Sequence, residues 1–354
     1  MTTTLTNGTT NPLTAGQLPK ATTWLALAGS LIVGGIVDAT ALGGFDPGTT
    51  VFLGAVIFLP VMYLIARAVE GRRAATDRLA TNLVTGAFLL ALLPLVSLLW
   101  ETLSNGLPRF DMQFFTWSMR NVIGEGGGAI HAIYGTLIVT GIATLISVPI
   151  GLLTAIYLVE YGRGPLARGI TFFVDVMTGI PSIVAGLFAY ALMALVFGPG
   201  TINGFSGSLA LSVLMIPIVV RSTEELLRIV PNELREASYA LGVPKWRTIM
   251  SVVLPTSISG IVSGVILAIA RIIGETAPLM IAAGFTNSIN TNPFANPMMT
   301  LPVFVYDQYA HPGIDRIFYN ERAWTGALTL ILLVMVLNLL GRFIAKRFAP
   351  KLGR

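Results

Sequence analysis

The ionisable residues of this chain stand out because long stretches carry no charge. Between Arg247 and Asp307 the only charges are Arg271 and Glu275, and between Arg168 and Arg221 the only one is Asp175. Arg221 is followed three residues later by Glu224. The spacing of four puts Arg271 and Glu275 on one face of a predicted helix, and the spacing of three does the same for Arg221 and Glu224. Arginine offers a permanently charged, planar fork of donors that matches the oxygens of an oxyanion. A neighbouring carboxylate neutralises the empty arginine and keeps the anion from binding too tightly to leave. An ionisable group at bilayer depth is costly and faces the protein interior or an aqueous cavity. The same pairs serve equally well as salt bridges that lock helices together, and the residues alone leave both readings open. Asp175 reads as a structural or gating group. Pro181, Pro217 and Pro278, with Gly179, can bend helices and free carbonyls where a cavity satisfies them.

Other chemistries find little support. With no cysteine in the chain there is no thiolate nucleophile, disulfide or cysteine metal site. His131 and His311 lie far apart without a metal-ligand motif, so no metal is expected and each reads as an interface residue. The glycine tract Gly124–Gly128 lacks a preceding strand and a following Lys-Ser/Thr, so it reads as a flexible external loop and not a phosphate cradle. No Gly-x-x-x-x-Gly-Lys-Ser/Thr occurs anywhere in the sequence, so ATP hydrolysis is not expected on this chain. No catalytic residue is assigned.

Composition decides what must position these groups. Only 11% of the 354 residues are charged and 54% are hydrophobic, against about 25% charged in a soluble domain. The chain is therefore all-α and polytopic, with about eight membrane spans of roughly 20 residues or more. Helices are expected at 22–42, 49–69, 79–103, 129–159, 168–197, 208–228, 254–284 and 323–345. Trp24, Trp100, Trp117 and Trp324 fall near span ends, as interfacial anchors do. Basic residues cluster in alternate connections: Arg67, Arg72, Arg73 and Arg78; Arg163 and Arg168; Arg228, Arg235, Lys245 and Arg247; and Lys346, Arg347, Lys351 and Arg354. Positive residues mark the cytoplasm, so an even number of spans with both termini inside is expected. The net charge of +5 follows this distribution and does not point to nucleic acid.

Residues 1–20 are Thr-, Asn- and Gly-rich and read as a disordered cytoplasmic tail. Lys20, the run Trp24–Val37 and Ala39-Thr40-Ala41 imitate a cleavable signal peptide. The leader is long and its basic region has one charge, which favours a retained span. Residues 21–110 hold additional N-terminal spans and the first core helix, and 111–354 form the main membrane domain. The Asn/Pro-rich stretch 285–322 reads as a loop, available to an external protein or to ordinary packing.

One connection has a pattern of its own. In residues 231–255, Pro231 and Asn232 suit a helix start, with asparagine capping the free amides. Residues 233–241 can form a short helix, and Gly242 fits the left-handed stop at its end. Pro244 then opens a second short helix carrying Lys245, Trp246 and Arg247. Ala237, Ser238 and Ala240 keep one face slim, so a partner backbone can approach, and Glu236 offers a charge at that contact. The alternative is an ordinary amphipathic surface helix. The whole spacing from Glu236 through Gly242 to Leu254 and Pro255, between two spans, favours a docking elbow.

"EASYALGVPKWRTIMSVVLP" at Glu236–Pro255 resembles the coupling loop of binding-protein-dependent ABC-importer permeases. Further segments sharpen the likeness to the PstA-type permease of bacterial phosphate importers. They are "AIYGTLIVT" at Ala132–Thr140, "VDVMTGIPSIVAGLF" at Val174–Phe188, "VVRSTEELLRIVPNELREA" at Val219–Ala237, "ARIIGETAPLM" at Ala270–Met280 and "TLPVFVYDQY" at Thr300–Tyr309. The resemblance covers roughly residues 115–350. It implies a six-helix type I importer core with cytoplasmic coupling helices, and alternating access to inorganic phosphate. Arg221, Glu224, Arg271 and Glu275 would then tune phosphate passage. The implied partners are a second, PstC-like permease, a PstB-like ATPase dimer carrying ATP and Mg, and an extracytoplasmic PstS-like phosphate-binding protein, all at the bacterial plasma membrane. The first two spans depart from that core. Alternatives are import of another oxyanion such as sulfate or molybdate, an ion-coupled secondary transporter or channel, and a scaffold that senses phosphate without transporting it.

Overall fold

A computed structural model describes residues 18–41, 44 and 46–348. Of the expected tail over 1–20, residues 1–17 lie outside the described residues, as do the last basic residues, Lys351 and Arg354. Among the described residues the fold is all-helical. The chain divides into two compact units at Leu99/Trp100.

The first unit contains α1 (Lys20–Ala41), α2 (Pro47–Val69) and most of α3 (Arg72–Gly106). Asp46 caps α2 by accepting from the Thr49 amide, and Pro47 suits the first turn. Asp38 is buried on α1 and accepts from the Asp46 amide and the Thr50 hydroxyl. Its carboxylate therefore ties α1 to the start of α2. Glu70 accepts from Arg78 Nε and Nη2 at 2.5 and 2.6 Å and from the Leu18 amide at 2.6 Å.

The second unit continues through α4 (Met112–Thr116), α5 (Ile130–Ile156), α6 (Pro165–Thr178), α7 (Ser182–Phe197) and α8 (Gly204–Ile229). After these come α9 (Asn232–Ala240), α10 (Lys245–Thr248), α11 (Leu254–Ile272), α12 (Ala277–Ala282), α13 (Leu301–Ala310) and α14 (Arg316–Phe348). Its core is an apolar cluster in which Ala143, Leu211, Met215, Ala268 and Leu279 are buried together. The pair α5 and α8 lies at its centre, with Gly151 of α5 close against Val219 of α8. Many large apolar side chains stay exposed, Leu145, Phe172 and Leu195 among them, as expected where lipid replaces water.

Among the described residues, seven helical segments are long and apolar enough to cross a membrane. The pair α6–α7, bent by 111°, makes an eighth if it counts as one span. That bend corrects the continuous helix expected over 168–197. Pro181 disfavours helical backbone at Ile180, and Gly179 ends α6, so the chain turns between them. The continuous helix expected over 254–284 is likewise two pieces, with Ile273–Thr276 between α11 and α12. The expected loop 285–322 contains α13 and the start of α14. Two π turns, Tyr157–Tyr161 and Ile249–Val253, extend the α5 helix and join α10 to α11. In the second, the Leu254 amide bonds back to Ile249 O, and Pro255 has no amide to continue the α pattern.

Candidate functional site

The breaks create a cavity of about 230 Å³. One wall is the α6–α7 corner, with Thr178 and Ser182; a second is α8 around Pro217; the third is Arg271 and Glu275. Pro217 stands at the middle of α8 and leaves the Val213 carbonyl without its helical donor. α7 begins at Ser182 without a side-chain cap, and its Val184 amide bonds to Pro181 O at 2.9 Å. Arg271 lies on the last turn of α11 and is exposed. Glu275 follows the end of that helix, its amide bonding to Ile272 O at 3.1 Å. The two residues were expected to share a helix face. They instead reach one cavity from a helix end and from the break that follows it. No ion pair or hydrogen bond engages the Arg271 guanidinium among the described residues. The arrangement sets an unpaired fork of donors, a carboxylate and two hydroxyl residues around one small space. An oxyanion fits this chemistry.

Arg221 is placed differently, one turn beyond Pro217 on α8. Its Nη1 donates to Glu224 Oε2 at 2.7 Å and its Nη2 to Asp175 Oδ1 on α6. Glu224 also accepts from Arg228 at 2.5 Å, and its side chain is only 6% exposed. Asp175, Arg221, Glu224 and Arg228 thus form a continuous network that ties α6 to α8. The structure brings Arg221 and Glu224 together as a pair and Arg271 and Glu275 together as cavity lining. Arg221 and Glu224 do not line that cavity.

Pro181 acts at the α6–α7 bend, whereas Pro217 lies inside α8, which runs as one helix over Gly204–Ile229. Pro278 is buried at the start of α12, where a Cβ on Gly186 would stand 2.6 Å from its Cα. Only glycine allows α7 and α12 to approach this closely.

The elbow forms as α9, a turn and α10. Gly242 has φ +76° with open space around it, so the backbone conformation, not crowding, requires glycine. Ser238 and Thr248 are buried and share a hydrogen bond of 2.8 Å that closes the elbow. Glu236 and Ala237 are exposed, whereas Ser238 is not. Asn232 is the first helical residue and not the cap; its Oδ1 accepts from Arg235 Nη1 at 3.3 Å. Leu254 and Pro255 lie at the π-to-α junction that carries the elbow into α11.

Sequence reasoning passed over three positions. Glu160, in the first π turn, accepts from Arg235. Arg322, at the end of the expected loop 285–322, is 1% exposed and donates to Gln308 Oε1 and to the Gly124 and Gly126 carbonyls. Arg109 donates to Gly127 O. The glycine tract read as flexible is therefore held by two arginines. The available signals were a lone acid at 160, the only one between Glu125 and Asp175, and an arginine just before an apolar span. His131 is buried edge-on to Phe304, without a hydrogen-bond partner among the described residues.

Residues 147–354 match the family described as "Binding-protein-dependent transport system inner membrane component". The chain is 47% identical to the phosphate transport system permease protein PstA of Mycobacterium leprae over 81% of its length and 95% of the relative's. It is 45% identical to PstA 1 of Mycobacterium tuberculosis H37Rv, covering 81% of this chain and 94% of that protein. For PstA of Yersinia pestis the identity is 38%, over 80% and 94%. Among solved structures, a bacterial alginate ABC transporter with its pentasaccharide-bound periplasmic protein matches with a TM-score of 0.58 at 13% identity, over 79% of this chain and 97% of that chain. The MetNI methionine ABC transporter, inward-facing, matches with a TM-score of 0.52 at 21% identity, over 62% and 96%. These two likenesses concern the fold.

Proposed function

The chain belongs to the PstA-type permeases, within the family of binding-protein-dependent transport system inner membrane components, and on that premise we propose that it forms part of the path by which an ATP-driven importer moves inorganic phosphate. The observation that carries this reading is the likeness to PstA along four-fifths of the chain. The cavity supports it: Arg271 supplies an unpaired donor fork, and Glu275 limits how tightly an anion is held. The permease is a multi-pass membrane protein.

A second, PstC-like permease would complete the path opposite this chain. A PstB-like ATPase dimer would bind ATP and Mg and close on the elbow through Glu236, Ala237 and the turn at Gly242. Its closure would rock the membrane halves so that they open outward to a PstS-like phosphate-binding protein. Hydrolysis and product release would restore the inward-facing state. The helices before the core keep no assigned role.

The reading is tested by reconstituting the complete complex in vesicles and measuring phosphate uptake against competing sulfate and molybdate. Uptake that needs ATP and resists both competitors is expected. Preferential transport of either competitor would assign another oxyanion, and ATP-independent uptake would assign a secondary transporter or channel. The basic clusters support an orientation with both termini and the elbow in the cytoplasm. Cysteines placed at the exposed positions Glu233 and Asn287 check it. In intact cells an impermeant thiol reagent should label Asn287→Cys and spare Glu233→Cys; the reverse pattern inverts the topology.

A further inference from the structure

Both halves of the elbow are fastened to one residue of α5's extension. Glu160 lies in the π turn Tyr157–Tyr161, with its side chain 5% exposed. Its carboxylate accepts from Arg235 of α9, at 3.0 Å from Nε and 2.9 Å from Nη2. Its backbone carbonyl accepts from Lys245 Nζ of α10, and the same ammonium lies 4.9 Å from the centre of the Tyr161 ring. Arg235 also reaches α8, donating from Nη1 to Val230 O at 2.6 Å and from Nη2 to Leu227 O at 2.9 Å. These carbonyls lie at the helix end, where intrahelical donors run out.

The links form a connected path. The elbow is closed on itself by Ser238 and Thr248. Arg235 joins it to the end of α8, and Arg235 and Lys245 join it to α5's extension. The helices α5 and α8 are themselves in close contact at Gly151 and Val219, and α8 carries the Pro217 wall of the cavity. The π turn matters because its widened backbone directs the Glu160 carboxylate and carbonyl to the two helices of the elbow. Turns of this kind are frequent at functional sites.

We propose that Glu160 is a positioning residue that makes the elbow, α5 and α8 move as one body, so that displacement of the elbow by an ATPase reaches the cavity. This rests on the reading of the chain as an ATP-driven permease. A residue that only capped α8 would affect assembly and leave the yield of transport per ATP unchanged. Glu160 sets that yield.

The test uses the complete complex in vesicles, with phosphate imported and ATP hydrolysed measured in the same sample. Glu160→Gln keeps the shape and loses the charge. It should lower phosphate moved per ATP on the order of 10-fold while hydrolysis continues, the range of an ordinary coupling free energy. Arg235→Lys should fall between Glu160→Gln and wild type, because it keeps the charge and loses the fork. Lys245→Met, at an exposed position, should lower the ratio by a smaller factor. An assembled Glu160→Gln complex with the wild-type ratio overturns the proposal. If Glu160→Gln does not assemble, Lys245→Met decides: a lowered ratio supports the proposal, and the wild-type ratio overturns it. A wild-type complex that hydrolyses ATP but carries another anion refutes the phosphate reading alone, and the ratio is then read with that anion.

Discussion

Arg221 and Arg271 are the same residue type at opposite extremes of engagement. Arg221 has both ends of its fork on carboxylates, Asp175 and Glu224, and Glu224 is held again by Arg228. Arg271 is exposed beside a cavity and makes no ion pair among the described residues. The contrast shows how one chain divides its intramembrane charge. A saturated arginine fixes one helix to another, whereas an unsaturated one at a helix break keeps its donors for something that comes and goes. The sequence leaves salt bridge and anion path open for both pairs, and the structure gives the two pairs different surroundings. We propose a lock between α6 and α8 for Arg221 and an anion contact for Arg271.

The largest effect should come from breaking the lock. Arg221→Gln leaves the exposed Asp175 without its partner and the buried Glu224 with Arg228 alone, and should cost about 1–3 kcal/mol, read as lost thermal stability of the purified permease. Adding Asp175→Asn and Glu224→Gln should restore much of that loss; no restoration would mean the network is not the source. Gly242→Val comes next. It forces a β-branched residue to positive φ and should cost about 1–2 kcal/mol, confined to the elbow. It should weaken ATPase binding in a pull-down while the permease still inserts, and unchanged binding would remove the docking role. Arg271→Gln should be the mildest for stability, within about 0.5 kcal/mol, as at a surface site with no partner to orphan. A melting temperature lowered as far as that of Arg221→Gln would erase the distinction between the two arginines.

The legible parts of the fold were those written locally. The elbow follows from Pro231, Gly242 and Pro244, whose effects on the backbone act within a few residues. The existence of most spans follows from composition over about 20 residues. The breaks at Gly179–Pro181 and Ile273–Thr276 were harder, although their glycines and prolines are in plain view. Apolar content continues through both corners, so hydropathy sees one long helix where the backbone makes two. Arg271 and Glu275 were found because charge is rare in their stretch; their geometry was misread because the helix was taken to continue. Glu160 escaped because its partner Arg235 is 75 positions away. Arg322 escaped because burial beneath a glycine-rich loop leaves no periodic signal.

We propose that the Arg271–Glu275 cavity, and not the Arg221 network, contacts the transported anion. The most direct measurement of this is phosphate uptake, per correctly assembled complex in vesicles, by Arg271→Gln, Glu275→Gln and the double variant. Normal assembly is expected for all three, with uptake down on the order of 10–100-fold for Arg271→Gln, as befits loss of charge-assisted donors, and no rescue in the double variant. Full uptake by all three, or recovery of assembly and transport together in the double variant, would contradict it.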